Sequence, residues 1–559
     1  MTKALYWNSI PIDVQQLKDK DTARTLVMGG TVYSSEVFRA LLRYSSYDEI
    51  LLPNWPEPPQ GDMRSTVTGR TMSGRVRTVD EHELETCKHE QLIIATPGST
   101  IDQLTRIRRL WQNGVAPISG VIHSLNYASQ SHWMLRLLLA DLYSFDMLFC
   151  SSLAGRQALL KLAEYTSTSL EGVGCSAARL AIKTPVVPLA VDVAAFDASD
   201  KQACKATLAL KANHCIVLYF GRLSPASKAD LLSLQVSFSQ VVNKFPNAFL
   251  VVAGDDTEWN MSEALNQFAH ALGFGDKFRV IPNPTTDDKR ELFGAADVFV
   301  SPADSLQETF GITLIEAMAT GRPVIASDWN GYRDIVVHGE TGILVPTMMP
   351  KYSRHFDDVR GSGYMHTSDL LSATTIVDVP SLISAIEALL GSAELRFSMG
   401  SAGQRRARAL YDWPVVVGQY EQVWDDSADQ SRRRALPSLE PTSRFDQQNY
   451  MHVFGHFATQ LLSDHTQVSI STYGLACMQR FELLGALAKP ATWFSPELLL
   501  QVLSVAAQSD VTTVAEIASR LMEGRDLQTD RAAAHVWRLA KCGALELRMG
   551  TKNEIFSGQ

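Results

Sequence analysis

The chain is poor in two features that mark particular classes of protein. Its seven cysteines are scattered without a Cys-x-x-Cys pair, which favours buried thiols in a reducing compartment. No apolar run reaches the roughly 18 residues of a membrane-spanning helix, and no N-terminal segment has the basic start and apolar run of a signal peptide. We therefore expect a cytoplasmic protein, with peripheral contact at the inner membrane face left open.

Positive charge and internal repetition are also scarce. The chain has 51 Lys and Arg against 60 Asp and Glu, a formal net charge of −9. Such a balance offers no basic surface for nucleic acid or anionic lipid. No internal repeat or low-complexity tract is visible, so nothing indicates a repeat array.

Two stretches of the chain alternate short apolar runs with amphipathic helical patterns. At 559 residues the chain has room for about two to four domains. In residues 1–200 the predicted buried strands are 26–28, 49–52, 92–95, 118–122 and 147–150. In residues 201–400 they are 216–220, 249–253, 278–281, 298–300, 324–326 and 343–345. This rhythm is typical of doubly wound α/β domains with parallel sheets, which bind ligands at the carboxyl ends of their strands.

The remaining segments depart from this rhythm. Residues 60–75 and 350–378 contain few apolar residues and are interpreted as loops. A polar linker at 425–445 leads into residues 446–559, which are mostly helical in pattern. The sequence therefore predicts two α/β domains followed by a smaller, mainly α domain.

The last domain resembles a winged-helix unit. Its predicted helices and strand are 495–507, 513–522, 531–542 and 544–549, with a turn at 550–553. Winged-helix units often bind DNA, but residues 511–559 carry seven Lys/Arg against six Asp/Glu, which is a poor balance for neutralising phosphates. We therefore favour a protein partner, a peptide acceptor or self-association through 446–559 over nucleic acid.

Residues 308–328, with the sequence ETFGITLIEAMATGRPVIASD, carry the most informative motif. Glu308 precedes a helical run and Glu316 lies inside it among apolar residues, where a carboxylate is costly unless it is hydrogen-bonded. The start of this helix offers unpaired N–H groups and a positive dipole end, which suit a phosphate. Gly321 and Pro323 then end the helix before the next strand. Together these features predict a compact site for a sugar nucleotide.

The motif resembles the donor site of family 4 retaining glycosyltransferases, in which an acid, Phe-Gly, a second acid and a Gly-x-Pro-Val strand recur in this order. The resemblance covers about residues 25–424 and is strongest from 215 to 346. It implies the GT-B fold, with two Rossmann-like domains facing across a cleft. It also implies a closing helix that returns to the first domain, for which residues 401–424 are the candidate.

The resemblance gives roles to two cations and two acids. Gly221 and Arg222 follow the first strand of the second domain, and Lys228 comes six residues after Arg222; the family places both cations on the donor diphosphate. Glu308 would contact hydroxyls of the donor sugar, and Glu316 the ribose. Arg222 and Lys228 could also be ordinary surface cations, but their position at the carboxyl end of the domain's first strand favours the diphosphate role.

Further donor-site residues are implied near the helix start and in the first domain. Phe310 belongs to the motif, and Gly311, Ile312 and Thr313 would present backbone N–H groups to the phosphates. The family places a His near the donor sugar, and His123, after a predicted strand, matches it; a satisfied structural histidine is the alternative.

Two other segments of the first domain bear on the donor site. Gly29 and Gly30 follow a predicted strand and precede a helix starting near Ser34, so their backbone suits a phosphate or an acceptor, although a plain tight turn fits equally well. Leu189 and Ala190 replace the family's usual Asn-Gly, which puts a donor contact there in doubt.

These observations predict a metal-independent retaining glycosyltransferase that needs no cofactor. It would move a hexose-type sugar from a UDP- or GDP-sugar to a glycan, lipid-linked or protein acceptor. No general base stands out, which the family explains by letting the donor phosphate take the acceptor proton. The alternative is a catalytically inactive sugar-nucleotide-binding protein or a winged-helix regulatory protein.

Overall fold

The structure is a computed structural model that describes residues 2–9, 29–54, 73–111, 114–127, 129–175, 178–196, 200–349, 371–434, 462–488, 494–523 and 529–548. The chain divides into two compact units, residues 1–446 and residues 447–559. Every helix within the described ranges is too short or too polar to cross a bilayer.

The first domain is built on a six-stranded parallel sheet. Its strands are β1 (Lys3–Trp7), β2 (Glu49–Pro53), β3 (Val76–Val79), β4 (Gln91–Ala95), β5 (Ile118–Val121) and β6 (Met147–Phe149), in the order β3-β2-β1-β4-β5-β6. Its helices are α1 (Gly29–Tyr44), α2 (Glu81–Glu85), α3 (Thr105–Leu110), α4 (Ser129–Leu139) and α5 (Leu153–Gly172), with short 3-10 turns at Ser73–Arg75 and Ile101–Leu104. The four inner strands of the sheet, β2, β1, β4 and β5, are mostly buried, which is why they appear in the sequence as mainly apolar runs.

Four of the five strands predicted in this domain are confirmed, at β2, β4, β5 and β6. The predicted strand 26–28 lies outside the described residues. Strands β1 and β3 were not predicted. β3 is an edge strand whose two middle residues, Arg77 and Thr78, are partly or fully exposed, so it has no continuous apolar run.

The second domain repeats the architecture. Its strands are β7 (Cys215–Phe220), β8 (Ala248–Gly254), β9 (Phe278–Pro282), β10 (Val298–Ser301), β11 (Val324–Ser327) and β12 (Gly342–Val345), all parallel in the order β12-β11-β10-β7-β8-β9. Its helices are α6 (Lys201–Thr207), α7 (Leu232–Val241), α8 (Met261–Ala271), α9 (Thr286–Ala295), α10 (Ile312–Ala319), α11 (Tyr332–Ile335) and α12 (Val379–Gly391), with 3-10 turns at Val193–Phe196 and Gly275–Lys277. All six predicted strands are confirmed, and the two sheets give the chain a GT-B fold.

The loop prediction for 350–378 is wrong at its carboxyl end, where the structure has a strand. Strand β14 (Ile376–Val377) pairs antiparallel with β13 (Thr347–Met348), so the segment returns to the domain edge as a short strand. Residues 350–370 lie outside the described ranges, as do residues 60–72 of the loop predicted at 60–75, whose last three residues form a 3-10 turn.

The return to the first domain also differs from its prediction over 401–424. Two helices, α13 (Ala393–Leu410) and α14 (Trp413–Arg432), replace one, because the Asp412 carboxylate accepts a hydrogen bond from the Trp413 N–H and starts a new helix. The chain crosses between the domains at this break, where the Val191 N–H donates to the Tyr411 carbonyl at 2.9 Å. Only α14 then packs on the first sheet, and the Trp424 indole donates to Ser119 Oγ at 2.9 Å.

The second unit is mainly helical with a small antiparallel sheet. Its elements are β15 (Gln467–Ile470), α15 (Thr472–Gln479), α16 (Phe481–Ala488), α17 (Pro496–Ala506), β16 (Thr512–Thr513), α18 (Val514–Met522), α19 (Thr529–Lys541) and β17 (Leu545–Arg548). The sheet order is β16-β15-β17. The three predicted helices and the strand are confirmed, and the predicted turn at 550–553 lies outside the described residues. The winged-helix assignment itself stays a prediction.

Candidate functional site

Glu308 and Lys228 form an ion pair beyond the carboxyl ends of two neighbouring strands. Lys228 lies in the segment after β7, and Glu308 lies in the loop after β10, the strand that pairs with β7. The Lys228 ammonium donates to Glu308 Oε2, and the side chains are only 18% and 10% exposed. The sheet therefore brings together a cation and an acid that are 80 residues apart.

Tyr332 holds Glu308 from the other side. Its hydroxyl donates to Glu308 Oε2 at 3.4 Å and lies 2.7 Å from Ser301 Oγ. Burial, and then the charge of Glu308, raise the pKa of Tyr332 well above its usual value, so the phenol keeps its proton as a donor. Asn330 donates to the Glu308 carbonyl, and the Phe310 N–H donates to Glu308 Oε1 at 3.3 Å. Both the backbone and the carboxylate of Glu308 are thus fixed.

Gly221 and Arg222 border the same pair. The Arg222 guanidinium donates to Ser227 Oγ at 3.0 Å, next to Lys228 in the chain. A Cβ on Gly221 would lie 3.2 Å from Lys228 Cε and 2.9 Å from the Tyr219 hydroxyl, so a side chain there would crowd the lysine. The turn after β7 therefore needs a glycine for Lys228 to reach Glu308.

The start of α10 faces this loop with unpaired donors. Among the described residues, the N–H groups of Gly311, Ile312 and Thr313 have no hydrogen-bond partner. Gly311 has a φ of +119°, and a Cβ there would overlap the Tyr332 ring, so two independent reasons require glycine. The Phe310 ring is buried and contacts Tyr411 edge-on at 6.2 Å, so its side chain anchors the loop instead of facing the helix start.

Glu316 lies one turn further along α10 with half of its carboxylate unsatisfied. The residue is 5% exposed, and Lys289 Nζ donates to its Oε1 at 2.5 Å. Among the described residues, neither Glu316 Oε2 nor Thr313 Oγ1 has a partner, and three positions apart they share one side of the helix. A buried carboxylate oxygen normally accepts a hydrogen bond, so this face of α10 suits a ligand with hydroxyl donors.

Lys289 was not anticipated from the sequence. Its ammonium lies 5.3 Å from the centre of the Phe220 ring and 6.0 Å from that of Phe196, besides its contact with Glu316. Phe220 immediately precedes Gly221, so Lys289 connects Glu316 to the turn after β7. Lys228 connects Glu308 to the same turn. A lysine in an ordinary amphipathic helix gives no sequence signal that it pairs with Glu316. Tyr332 likewise gives no sequence signal that it donates to Glu308.

His123 does not join the ion pair. Its Nε2 donates to the Pro97 carbonyl at 2.8 Å, and its ring meets Tyr33 edge-on at 6.2 Å. Burial lowers the pKa of His123 despite the Pro97 contact, so the ring is neutral near pH 7 and leaves Nδ1 as an acceptor. Its chain neighbour Ser124 does reach the second domain, with Oγ 3.4 Å from the Gln307 carbonyl. His123 therefore borders the loop that carries Glu308 without touching Glu308 among the described contacts.

Gly29 and Gly30 are placed differently from their prediction. They are the first two residues of α1, so the helix begins five residues before Ser34 and the predicted turn is helical instead. One turn further on, Tyr33 contacts His123. The pair thus lies at a helix start on the His123 side of the molecule.

Comparison with known proteins agrees with this geometry. Residues 200–356 match the family model described as glycosyl transferases group 1. The chain is 32% identical over 164 residues to the D-inositol 3-phosphate glycosyltransferase of Mycobacteroides abscessus, which covers 29% of this chain and 35% of that protein. The same-named protein of Geodermatophilus obscurus is 27% identical over 262 residues, covering 46% and 50% of the two chains. The chain thus spans half or less of the length of these relatives.

A solved structure shows the same fold over a longer stretch. Anabaena HepE in complex with UDP superposes with a TM-score of 0.50 and 16% identity, covering 76% of this chain and all of that one. The stretch that matches the family model lies in the second domain and contains Arg222, Lys228, Glu308 and Glu316. The chain therefore combines a GT-B fold with a stretch, residues 200–356, that matches the group 1 glycosyl transferases.

Proposed function

We propose that the protein is a retaining glycosyltransferase of family 4 that moves a hexose-type sugar from a UDP- or GDP-sugar to a glycan, lipid-linked or protein acceptor. The observation that carries this proposal is the Lys228–Glu308 pair, set between Arg222 and the unpaired N–H groups at the start of α10. This arrangement offers positive charge for a diphosphate and a carboxylate for sugar hydroxyls within one loop cluster.

The cations and amides would stabilise the leaving group. As the bond between the anomeric carbon and the diphosphate oxygen breaks, negative charge grows on the diphosphate. Arg222, Lys228 and the N–H groups of 311–313 would supply donors for that charge. The acceptor oxygen bonds to the anomeric carbon on the face that the diphosphate leaves, and its proton passes to a phosphate oxygen. No protein base is required in this scheme.

Donor binding would replace the lysine partner of Glu308 and would give Glu316 a second partner. Lys228 would turn from Glu308 to the diphosphate, which frees Glu308 for the sugar hydroxyls. Glu316 already has an unsatisfied oxygen, Oε2, for a ribose hydroxyl, and Lys289 holds the other oxygen. Both lysines thus keep a buried carboxylate paired until the donor arrives.

A donor screen tests the proposal directly. The melting temperature of the purified chain would be measured with UDP, GDP, ADP and their common sugar nucleotides. Hydrolysis of the sugar nucleotide that raises the melting temperature most would then be followed as release of nucleoside diphosphate. We expect one nucleotide class to raise the melting temperature and its sugar to be hydrolysed slowly. UDP is the first choice because HepE was solved with UDP. Stabilisation without any hydrolysis or transfer would support an inactive binding protein, and no stabilisation would refute the proposal.

We also propose that transfer is metal-independent, since Arg222 and Lys228 already supply the charge that a divalent cation supplies elsewhere. Sugar transfer or donor hydrolysis is expected to proceed at an unchanged rate in excess EDTA. The matched control adds Mg²⁺ or Mn²⁺ back after chelation and is expected to leave the rate unchanged. Complete loss in EDTA, restored by one of these ions, would overturn this assignment.

Residues 446–559 are proposed to contact a protein: a partner, a peptide acceptor or a second copy of the chain. This segment corresponds closely to the second compact unit, so a chain ending near residue 440 would keep the first unit nearly whole. Truncation there is expected to spare nucleotide affinity and to lower acceptor transfer or the mass in solution, measured by light scattering. Unchanged acceptor kinetics and mass would contradict this role, and salt-sensitive binding of duplex DNA by the full chain would favour a regulatory function.

A further inference from the structure

A second cluster of reactive groups lies at the opposite end of the first sheet. Glu49 is the first residue of β2, Arg77 lies in β3, and Cys87 and His89 lie between α2 and β4. His123 follows the carboxyl end of the neighbouring β5, whereas this cluster lies at the amino ends of β2 and β4. The cluster is therefore separate from the proposed donor site.

Three of these side chains form a relay. Cys87 Sγ lies 2.9 Å from His89 Nδ1, and His89 Nε2 lies 3.1 Å from Glu49 Oε2. The other Glu49 oxygen accepts from Arg77 Nε at 2.9 Å. The order is thiol, imidazole, carboxylate, and the carboxylate is itself held by a guanidinium.

The contacts settle which nitrogen of His89 carries the proton. A carboxylate only accepts, so Nε2 donates to Glu49 and Nδ1 is left to accept the thiol proton of Cys87. Hydrogen bonding to Glu49, and then nearby negative charge, raise the pKa of Arg77 despite partial burial, which keeps a fixed cation on the Glu49 carboxylate. An activated nucleophile needs this arrangement: a base in contact with it and a third group that orients the base.

We propose that Cys87 is a nucleophilic thiol that reacts with small hydroperoxides. The sulfur attacks the terminal peroxide oxygen, the O–O bond breaks, and the thiol proton passes through His89 to the leaving oxygen. Cys87 becomes a sulfenic acid, and the hydroperoxide becomes an alcohol, or water in the case of hydrogen peroxide. Sulfur is oxidised by two electrons and the peroxide is reduced by two.

Burial and geometry select this reactant class. Cys87 is 5% exposed, which admits a reactant the size of hydrogen peroxide and disfavours a bulky substrate. The two nitrogens of His89 point to different partners, so sulfur and carboxylate do not converge on one ion. In the described part of the chain, no group of three or more His, Cys, Asp or Glu side chains could hold a metal.

The test compares the cysteines of the full chain with one another. The chain is exposed to hydrogen peroxide, quenched with acid, denatured and alkylated, and the remaining thiol at each cysteine is measured by peptide mass spectrometry. Denaturation removes differences in access to the alkylating reagent. Cys175 is exposed, and burial raises the pKa of Cys150 to about 12, so they serve as internal references. We expect Cys87 to be lost at least about tenfold faster than Cys175, and Cys150 slowest.

Variants separate activation from packing. Glu49→Gln and His89→Gln are each expected to slow Cys87 oxidation at least about tenfold and to leave the rate at Cys175 unchanged. Glu83→Gln is the matched control, because Glu83 also contacts Arg77, at 3.3 Å, but not His89; its rate is expected to equal that of the wild type. The proposal would be overturned if Cys87 of the wild type were oxidised no faster than Cys175. It would also be overturned if Cys87 were oxidised at equal rates in folded Glu49→Gln and Glu83→Gln.

Discussion

Replacing Lys228 by Ala is expected to lower the rate of sugar transfer at least about a hundredfold, as removal of one fixed contact to a developing charge does. Arg222→Ala is expected to have a similar effect. The larger part of each loss belongs in kcat, because the charge on the diphosphate grows as the donor bond breaks. The measurement is steady-state kinetics with the donor identified by the screen.

The structure supplies a matched control for this result. Lys244 also pairs with a glutamate, Glu387 at 3.0 Å, but its side chain is 62% exposed and lies at the end of α7. Lys244→Ala is expected to keep wild-type kinetics. Melting curves of all variants would show that the fold survives. Wild-type turnover in Lys228→Ala would mean that the lysine serves only to neutralise Glu308.

The second large effect concerns Glu316. Glu316→Gln is expected to weaken nucleoside diphosphate binding about tenfold to a hundredfold, the usual range for losing a hydrogen bond to a charged group (about 1.5–3 kcal/mol). The ribose contact exists without the sugar, so the loss appears with the nucleotide alone. Glu308→Gln is expected to leave nucleotide affinity almost intact and to damage transfer. Calorimetry with the nucleoside diphosphate distinguishes the two acids, and the reverse order would mean that their roles are exchanged.

Because Lys289 pairs with Glu316, the two residues allow a double-mutant cycle. In the absence of a ligand, Lys289→Met leaves Glu316 with no partner on either carboxylate oxygen among the described residues. We expect the variant to bind the nucleotide more weakly in the wild-type background and to have little further effect in Glu316→Gln. Additive losses would show that Lys289 contacts the nucleotide independently of Glu316.

The outcome for the first domain shows where sequence reasoning fails. β1 lies at the centre of the sheet and was missed, although its apolar run, Ala4–Trp7, is as long as the runs that predicted β2 and β4. The single return helix was wrong because the cap at Asp412, followed by Pro414 in the first turn of the next helix, divides the segment in two. Gly29 and Gly30 were assigned to a turn because glycine is a weak helix former, and a helix start tolerates them.

The sequence alone determined the strands of the second domain and the position along the chain of the motif at residues 308–328. A parallel strand covered on both faces must be apolar throughout, so each strand is visible in a short window of residues. Glu308, Glu316 and the glycine between them, Gly311, are local features of one turn and one helix, and their spacing is readable in the same way. The order of apolar runs was likewise enough to indicate two α/β domains.

Only the tertiary structure decided which side chains meet. Lys289 and Glu316 are 27 residues apart, Tyr332 and Glu308 are 24 apart, and His89 and Glu49 come from separate elements at one end of the sheet. Such contacts depend on how helices pack across a sheet, and no local propensity or periodicity records that packing. The chemistry of each acid is therefore readable from its own residue type, whereas its partner, its burial and its unsatisfied oxygen follow from elements that are distant in sequence.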